Sequence, residues 1–296
     1  MTTDTGTAGA PQSAGWRGKF AGFALGLSLF AIVWFAAAAV GTKLGLWDWQ
    51  FGLGVMTITW GPMLLMAAAG ISLLAVIISL IKSPRKQAFM LAFAALLISG
   101  LAFGRVAAFG GQAARLPPLH DIQTDWADPI RPSAALAAAR EATGALNPIE
   151  DAPVIAEAAN GRWPGMGGRL VSEVQEEAEF DTATHESPKE TPYPMIAPLK
   201  APVTSEAAYA AALAAVEDRG WTVVTASPED GVIEATETSF WFGFHDDVMI
   251  RIRSEEERVV IDVRSTSRVG LSDLGANAKR IRNLLDEVET RLNKIP

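Results

Sequence analysis

Hydrophobic and polar positions follow three different rhythms along this chain. In the first third, residues 20–40, 60–81 and 89–109 are almost wholly apolar, with Arg105 as the one charge among them. Each run is long enough, at about 1.5 Å per helical residue, to cross a hydrocarbon core of about 30 Å. Uncharged runs of this length predict three membrane-spanning helices rather than buried helices of a soluble bundle. The first is longer than the apolar stretch of a cleaved signal peptide, and two more follow it.

In the last third the rhythm falls to two. Val248, Ile250 and Ile252 alternate with Asp247, Met249, Arg251 and Arg253, and Val259, Ile261, Val263 and Ser265 alternate with Val260, Asp262 and Arg264. Such alternation predicts strands that bury one face and show water the other. Joined through Glu255, Glu256 and Glu257, they form a hairpin. Of the two registers that keep apolar opposite apolar, charge favours Arg251 against Asp262 and Glu255 against Arg258 over Arg253 against Arg258.

The rhythm then changes to steps of three and four. Leu274, Ala278, Ile281, Leu285, Val288, Leu292 and Ile295 form one stripe of a last helix. Ser272 suits its N-cap and Asp273 its first turn. Asp273, Asn277, Arg280 and Leu284 form an adjacent, mostly polar stripe. Upstream, 133–143 predicts a short Ala-rich helix, 205–216 a helix ended by Gly220, and 221–225 and 231–238 two further strands.

The order helix, about four antiparallel strands, long helix predicts a two-layer α+β sandwich with the sheet packed on two helices. The expected organisation is a tail at 1–15 and a three-helix transmembrane module at 16–110. An extended entry and Pro/Gly/acid-rich surface excursion follow at 111–203, with at most one short helix near 169–179. The α+β core occupies 204–296.

The words FWFGFHDDVMIRIR, IDVRSTSRVGLSDLGANAKRIR and PPLHDIQTDWADP together resemble the domain-of-unknown-function family 1499, found in bacterial envelopes and plastids. The resemblance covers roughly 117–292, and residues 140–191 depart from it. It implies no known reaction.

Charge divides the chain. Residues 1–110 hold seven basic and two acidic residues, leaving 18 basic and 31 acidic beyond them, a net −13. Such a domain has no general attraction for nucleic acid or anionic lipid. The absence of cysteine excludes disulfides, thiolate metal sites and a Cys nucleophile. Arg17, Lys19, Lys82, Arg85 and Lys86 flank one side of the spans, against Lys43, Arg105 and Arg115 on the other. This bias predicts a multi-pass inner-membrane protein with a cytoplasmic N-terminus and a periplasmic C-terminal domain. Trp16, Trp47, Trp49 and Trp60 are expected as interfacial anchors. Gly22/Gly26 and Gly100/Gly104 are expected to pack within the three-span module.

Catalytic signatures are missing. There is no Gly-x-Ser-x-Gly, no phosphate-cradling loop and no His-Glu-x-x-His. His120, Asp121 and Asp125 suit turn hydrogen bonds better than a metal, and neither metal nor cofactor is expected. His185 and His245 stand in unrelated contexts. Of the neighbours Asp246 and Asp247, one is expected to pair with Arg264 or Arg268. Glu234 would suit a general acid if buried but is assigned to an exposed strand face, and Phe240, Trp241, Phe242 and Phe244 to core or hydrophobic edge.

One constellation carries a ligand hypothesis. Arg264, Ser265, Ser267 and Arg268 run into the last helix, whose start presents unpaired N–H groups. With Asp273, Asn277 and Arg280 they form a candidate anion site. The competing arrangement has Asp247 and Asp273 occupying those donors, with Asp247, Arg251 and Asp262 as structural ion-pair residues. The expected function is a binding or scaffolding domain held at the envelope membrane, its partners the lipid bilayer and an envelope protein. A hydrolase acting on an anionic substrate beside the last helix is the first alternative, and a lipid or small-ligand sensor the second.

Overall fold

The computed structural model describes residues 15–81, 86–179, 193 and 196–294. The chain divides into two compact units, Met1–Gln112 and Ala113–Pro296.

The first unit contains three helices long and apolar enough to cross a membrane. They are α1 (Trp16–Lys43), α2 (Gly61–Ile81) and α3 (Lys86–Ala113). A π-helical stretch, Gln50–Trp60, runs straight into α2, so the second span begins ten residues before its expected start. Pro62 has no N–H to donate, and the change from π to α register falls beside it.

Side-chain size in this unit is inverted relative to a water-soluble core. Ala21, Ala24, Ala75, Ala88, Ala92 and Ala95 are inside. The hydroxyls of Ser28 and Ser72 meet at 3.3 Å. Leu29, Phe30, Val33, Leu73, Ile77, Phe93 and Leu101 face outward. Helices that gain nothing from hiding Leu in lipid approach through small side chains instead. The Gly22, Gly26, Gly100 and Gly104 faces do not make these contacts, since a Cβ added at any of them meets nothing within 4 Å. An Ala/Ser stripe takes the place given to them by sequence. Trp60 stands away from a helix end, its ring 6.0 Å from that of Trp34. Lys82 and Arg85 lie outside the described residues.

The second unit is built on an antiparallel sheet ordered β1-β6-β5-β4-β3. Four strands answer the expected ones: β3 (Thr222–Ser227), β4 (Val232–Thr238), β5 (His245–Glu255) and β6 (Arg258–Ser267). The hairpin β5–β6 adopts the charge-favoured register, Arg251 opposite Asp262 and Glu255 opposite Arg258. Glu256 itself takes the positive φ, 52°, that a tight turn demands. Two three-residue strands complete the sheet along the other edge of β6. They are β1 (Asp121–Gln123) on its C-terminal half and β2 (Leu199–Ala201) on its N-terminal half.

One face of this sheet carries Ile233, Ala235, Val248, Ile250, Ile252, Val259, Ile261 and Val263. It packs on α6 (Ser205–Asp218) and α7 (Ala276–Leu292). Thr204 caps α6, accepting from the Ala207 N–H. On α7 the buried side chains are Asn277, Ala278, Ile281, Leu284, Val288 and Leu292, whereas Leu285 is only half-buried. The stripe is therefore rotated toward Leu284 from the one expected.

α7 also starts later than Ser272. Leu274 and Gly275 lie at φ 54° and 81°, in the left-handed region, so the right-handed helix begins at Ala276.

The opposite face differs from expectation more deeply. It is not open to water. Residues 126–150 fold across it, including α4 (Ala134–Ala142), capped by Ser133. Met249 packs there with Ile130 and Leu136. The stretch 147–202 is likewise more than a surface excursion. Ile155, Ala159, Tyr193 and, on α5 (Val171–Glu179), Val171 and Val174 belong to the main core.

Candidate functional site

The alternation of β5 and β6 sends Ser265 and Ser267 toward α7, and Arg264 to the other face. Asn277, fully buried in the first turn of α7, accepts from Ser265 Oγ at 2.8 Å. It donates to the His120 carbonyl at 3.0 Å and to Ser267 Oγ at 3.1 Å. Arg280, one turn on, donates to Ser265 Oγ at 2.9 Å, to Asp246 at 2.6 Å and to Glu237. Burial pulls its pKa down, but Asp246 and Glu237 together outweigh that and raise it.

The first two N–H groups of α7, those of Ala276 and Asn277, are both taken up by Asp273. The two left-handed residues turn the backbone so that Asp273 accepts from Gly275 N at 2.7 Å and Asn277 N at 2.8 Å. Burial pushes the Asp273 carboxyl up to about 6, against the pull of those two N–H bonds. Ser272 caps nothing in the helix; its Oγ accepts from Leu274 N.

On the other face lies a layer of buried ion pairs. Arg264 and Asp121 are both at 0% exposure and meet twice, at 2.9 and 2.5 Å. The remaining Arg264 donors reach the carbonyls of Ile130 and Glu150, and its guanidinium lies 5.4 Å from the Trp126 ring. Asp247 holds two arginines. Arg268 bonds it at 2.6 and 2.9 Å while also reaching Thr143 Oγ1 and the Ala139 carbonyl. Arg140 of α4 holds the other side of Asp247, and burial draws its pKa down. Arg251 and Arg253 share Asp262 at 3.3 and 2.8 Å. Glu234, expected on an exposed face, is buried and accepts from the Ser133 N–H at 2.6 Å and the Ser133 hydroxyl.

Ser265, Ser267, Asp273, Asn277 and Arg280 come together on the helix side, while Arg264 and Arg268 stand on the other side of the sheet. Asp247 pairs with Arg268 as anticipated, but Arg264 pairs with Asp121. Asp125 makes the anticipated turn, accepting from Ala127 N at 2.9 Å. Among the described residues, no group of three His, Asp or Glu could hold a metal; His185 lies outside them. Burial lowers the pKa of both His120 and His245.

Sequence reasoning missed Asp121 as the Arg264 partner, Arg140 and the Ser133–Glu234 pair. A guanidinium inside an otherwise Ala-rich helix was the available signal for Arg140.

Two shallow depressions open on this unit. One of about 160 Å³ lies between the residues around Pro198 and the Ile281/Leu285 side of α7. The other, of about 360 Å³, is rimmed by Glu206, Glu256 and Glu257. Neither is an apolar pocket with polar groups converging in it.

Among the described residues, the most exposed aromatic surface of the unit is the β4–β5 loop. Ser239 closes it, its N–H donating to the Phe244 carbonyl and its hydroxyl accepting from the Phe244 N–H, both at 2.8 Å. Gly243 supplies φ 72°, and the rings of Phe242 and Phe244 stack at 5.4 Å at its base. Phe240 and Trp241 are left 75% and 60% exposed, edge to face at 5.1 Å. These two are hydrophobic edge, not core.

A family model described as "Protein of unknown function (DUF1499)" matches residues 121–288. No curated protein and no solved structure matches the chain.

Proposed function

The chain belongs to the DUF1499 family, and we propose that it is a membrane-tethered, non-catalytic binding domain whose contact surface is the β4–β5 loop. The carrying observation is a contrast within one unit. The ionisable groups that chemistry would recruit are closed on one another, whereas two large aromatic rings stand in solvent. An enzyme instead gathers unspent polar groups in a pocket that excludes water, and a binding surface exposes apolar area. The proposed setting is the inner membrane of a cell envelope, with the N-terminus cytoplasmic and the domain periplasmic, following the bias of Lys and Arg.

Two measurements test this. Thermal unfolding of the detergent-extracted chain should show no upward shift with inorganic phosphate or acetate. A saturable shift that Arg280→Ala abolishes would favour the anion-site alternative and overturn the non-catalytic reading. For orientation, a phosphatase fused after Pro296 should be active outside the cytoplasm, and one fused near Ser83 inactive. The reverse pattern inverts the topology.

A further inference from the structure

The sheet has two ends, and the aromatic loop occupies one of them. β4 finishes and β5 starts there, with Thr238 opposite His245. β6 also finishes there, with Ser267 opposite Asp246. The chain arriving from the third span enters at the same end. His120 accepts from Ser267 N at 2.8 Å, and β1 then runs away from that end, from Asp121 opposite Thr266 to Gln123 opposite Arg264. At about 4.8 Å per strand, entry point and loop are separated by two to three strand spacings, roughly 10–15 Å.

The entry segment is short and fixed to the domain. α3 ends at Ala113 and β1 begins at Asp121. Within that interval the Leu116 carbonyl accepts from the Trp163 indole at 2.9 Å, the Leu119 carbonyl from Asp273 N at 2.8 Å, and Leu119 is fully buried. Only residues 114 and 115 separate the end of α3 from Leu116. They extend over no more than about 10 Å. The end of the sheet that carries Phe240 and Trp241 is thus the end at which the chain following α3 enters the domain.

From this we infer that the partner of the loop is the headgroup region of the bilayer to which the domain is tethered. The inference rests on the binding reading above and names its partner. Trp and Phe have an apolar body suited to the boundary between headgroups and acyl chains. The loop from Ser239 to Phe244 has no charge, and the nearest acids, Glu237 and Asp246, are both held by Arg280. The net −13 of the chain beyond residue 110 gives no attraction to anionic lipid. The contact is therefore an insertion of rings into neutral headgroups, indifferent to salt. Two rings bind a free surface weakly, but the tether keeps the local concentration of that surface high. The closed, hydrogen-bonded loop presents both rings without an ordering step.

The absence of cysteine permits a direct test on the full chain. Thr238→Cys, beside the rings, carries an environment-sensitive fluorophore, and Asp230→Cys in the β3–β4 turn reports from the opposite end of the sheet. In phosphatidylcholine vesicles containing this protein alone, the label at 238 should shift to the blue. Lipids bearing a shallow nitroxide should quench it several-fold more than the label at 230, in low and high salt alike. Adding Phe240→Ser and Trp241→Ser should return it to aqueous emission. Equal quenching at 238 and 230 overturns the assignment to the loop. A label at 238 that is aqueous in these vesicles but shielded in native membranes means a protein covers the rings, which overturns the lipid assignment and keeps the binding reading. A label aqueous in both settings overturns both.

Discussion

The two faces of one sheet are both sealed from water, by opposite chemistry. Toward α6 and α7, β5 and β6 present Val248, Ile250, Ile252, Ile261 and Val263 to apolar side chains. Toward residues 126–150 the same strands present Asp247, Asp262 and Arg264, joined by Arg268 just past β6, each neutralised by a partner of opposite charge. The apolar face gains from contact area and tolerates approximate fit. The ionic face gains little over an apolar substitute, because desolvation offsets attraction, but loses heavily if one partner is taken away. Burial alone therefore does not say how a face will respond to change.

The sharpest way to break this comparison is Arg264→Leu, which strands Asp121 where no water reaches it. Unfolding of the soluble unit, followed by proteolysis of the detergent-extracted chain, should show a loss of about 3–5 kcal/mol. Adding Asp121→Leu should recover much of it. A double variant as unstable as the single one would mean that the bonds to Ile130 and Glu150, not the charge pair, hold this face.

On the apolar face Leu284→Ala should cost about 2–5 kcal/mol, and the half-buried Leu285→Ala clearly less. Equal losses at the two positions would mean that the helix rests on the sheet through a broader face than its burial indicates.

A smaller effect sits at the start of α7. The Asp273 carboxyl is raised to about 6 in the fold by burial, against an ordinary value near 3.9 in the unfolded chain. The folded state thus binds this proton more tightly. Its contribution is full below about pH 4 and is lost as pH rises through about 6. Asp273→Asn, which keeps an oxygen for only one of the Gly275 and Asn277 N–H groups, should lower stability at every pH and remove that slope between pH 4 and 6. An unchanged slope would show that Asp273 is not the titrating group.

The smallest effect belongs to Arg131, whose bond to Asp151 at 2.6 Å is as short as those inside. Both side chains are exposed, so Arg131→Ala should leave unfolding unchanged within error. A measurable loss would mean that proximity rather than burial sets the strength of these pairs.

What sequence reveals of this molecule follows from how local the cause is. The hairpin register was legible because Arg251/Asp262 and Glu255/Arg258 are decided by residues a few positions apart. So was the Gly220 end of α6. The spans needed only their own length and lack of charge. The buried ionic face was not legible, because alternation reports that Arg264 and Val263 point to different sides, not what covers either. The partner of Arg264 lies at Asp121, on a strand of three residues too short to leave a pattern. The start of α7 was misplaced because Leu274 adopts a conformation that favours glycine, which the periodicity of Leu, Ala and Ile conceals.

The divided edge of β6 also has a consequence for how the chain is made. Asp121 leaves the ribosome 145 residues before its partner Thr266, and Leu199 62 residues before Ile261. In the meander of β3, β4 and β5 each strand has its neighbour next in line, so these pairings need no later segment of the chain. β1 and β2 must wait unpaired for the last strand, and long-range pairings of this kind are the slow step of folding. β6 therefore acts as a latch. It joins the entry segment to the finished meander and closes both charged pairs, Arg264–Asp121 and Arg268–Asp247, at once. A chain cut short before residue 258 loses α7 as well as β6, and has nothing to fasten one end of the domain to the other.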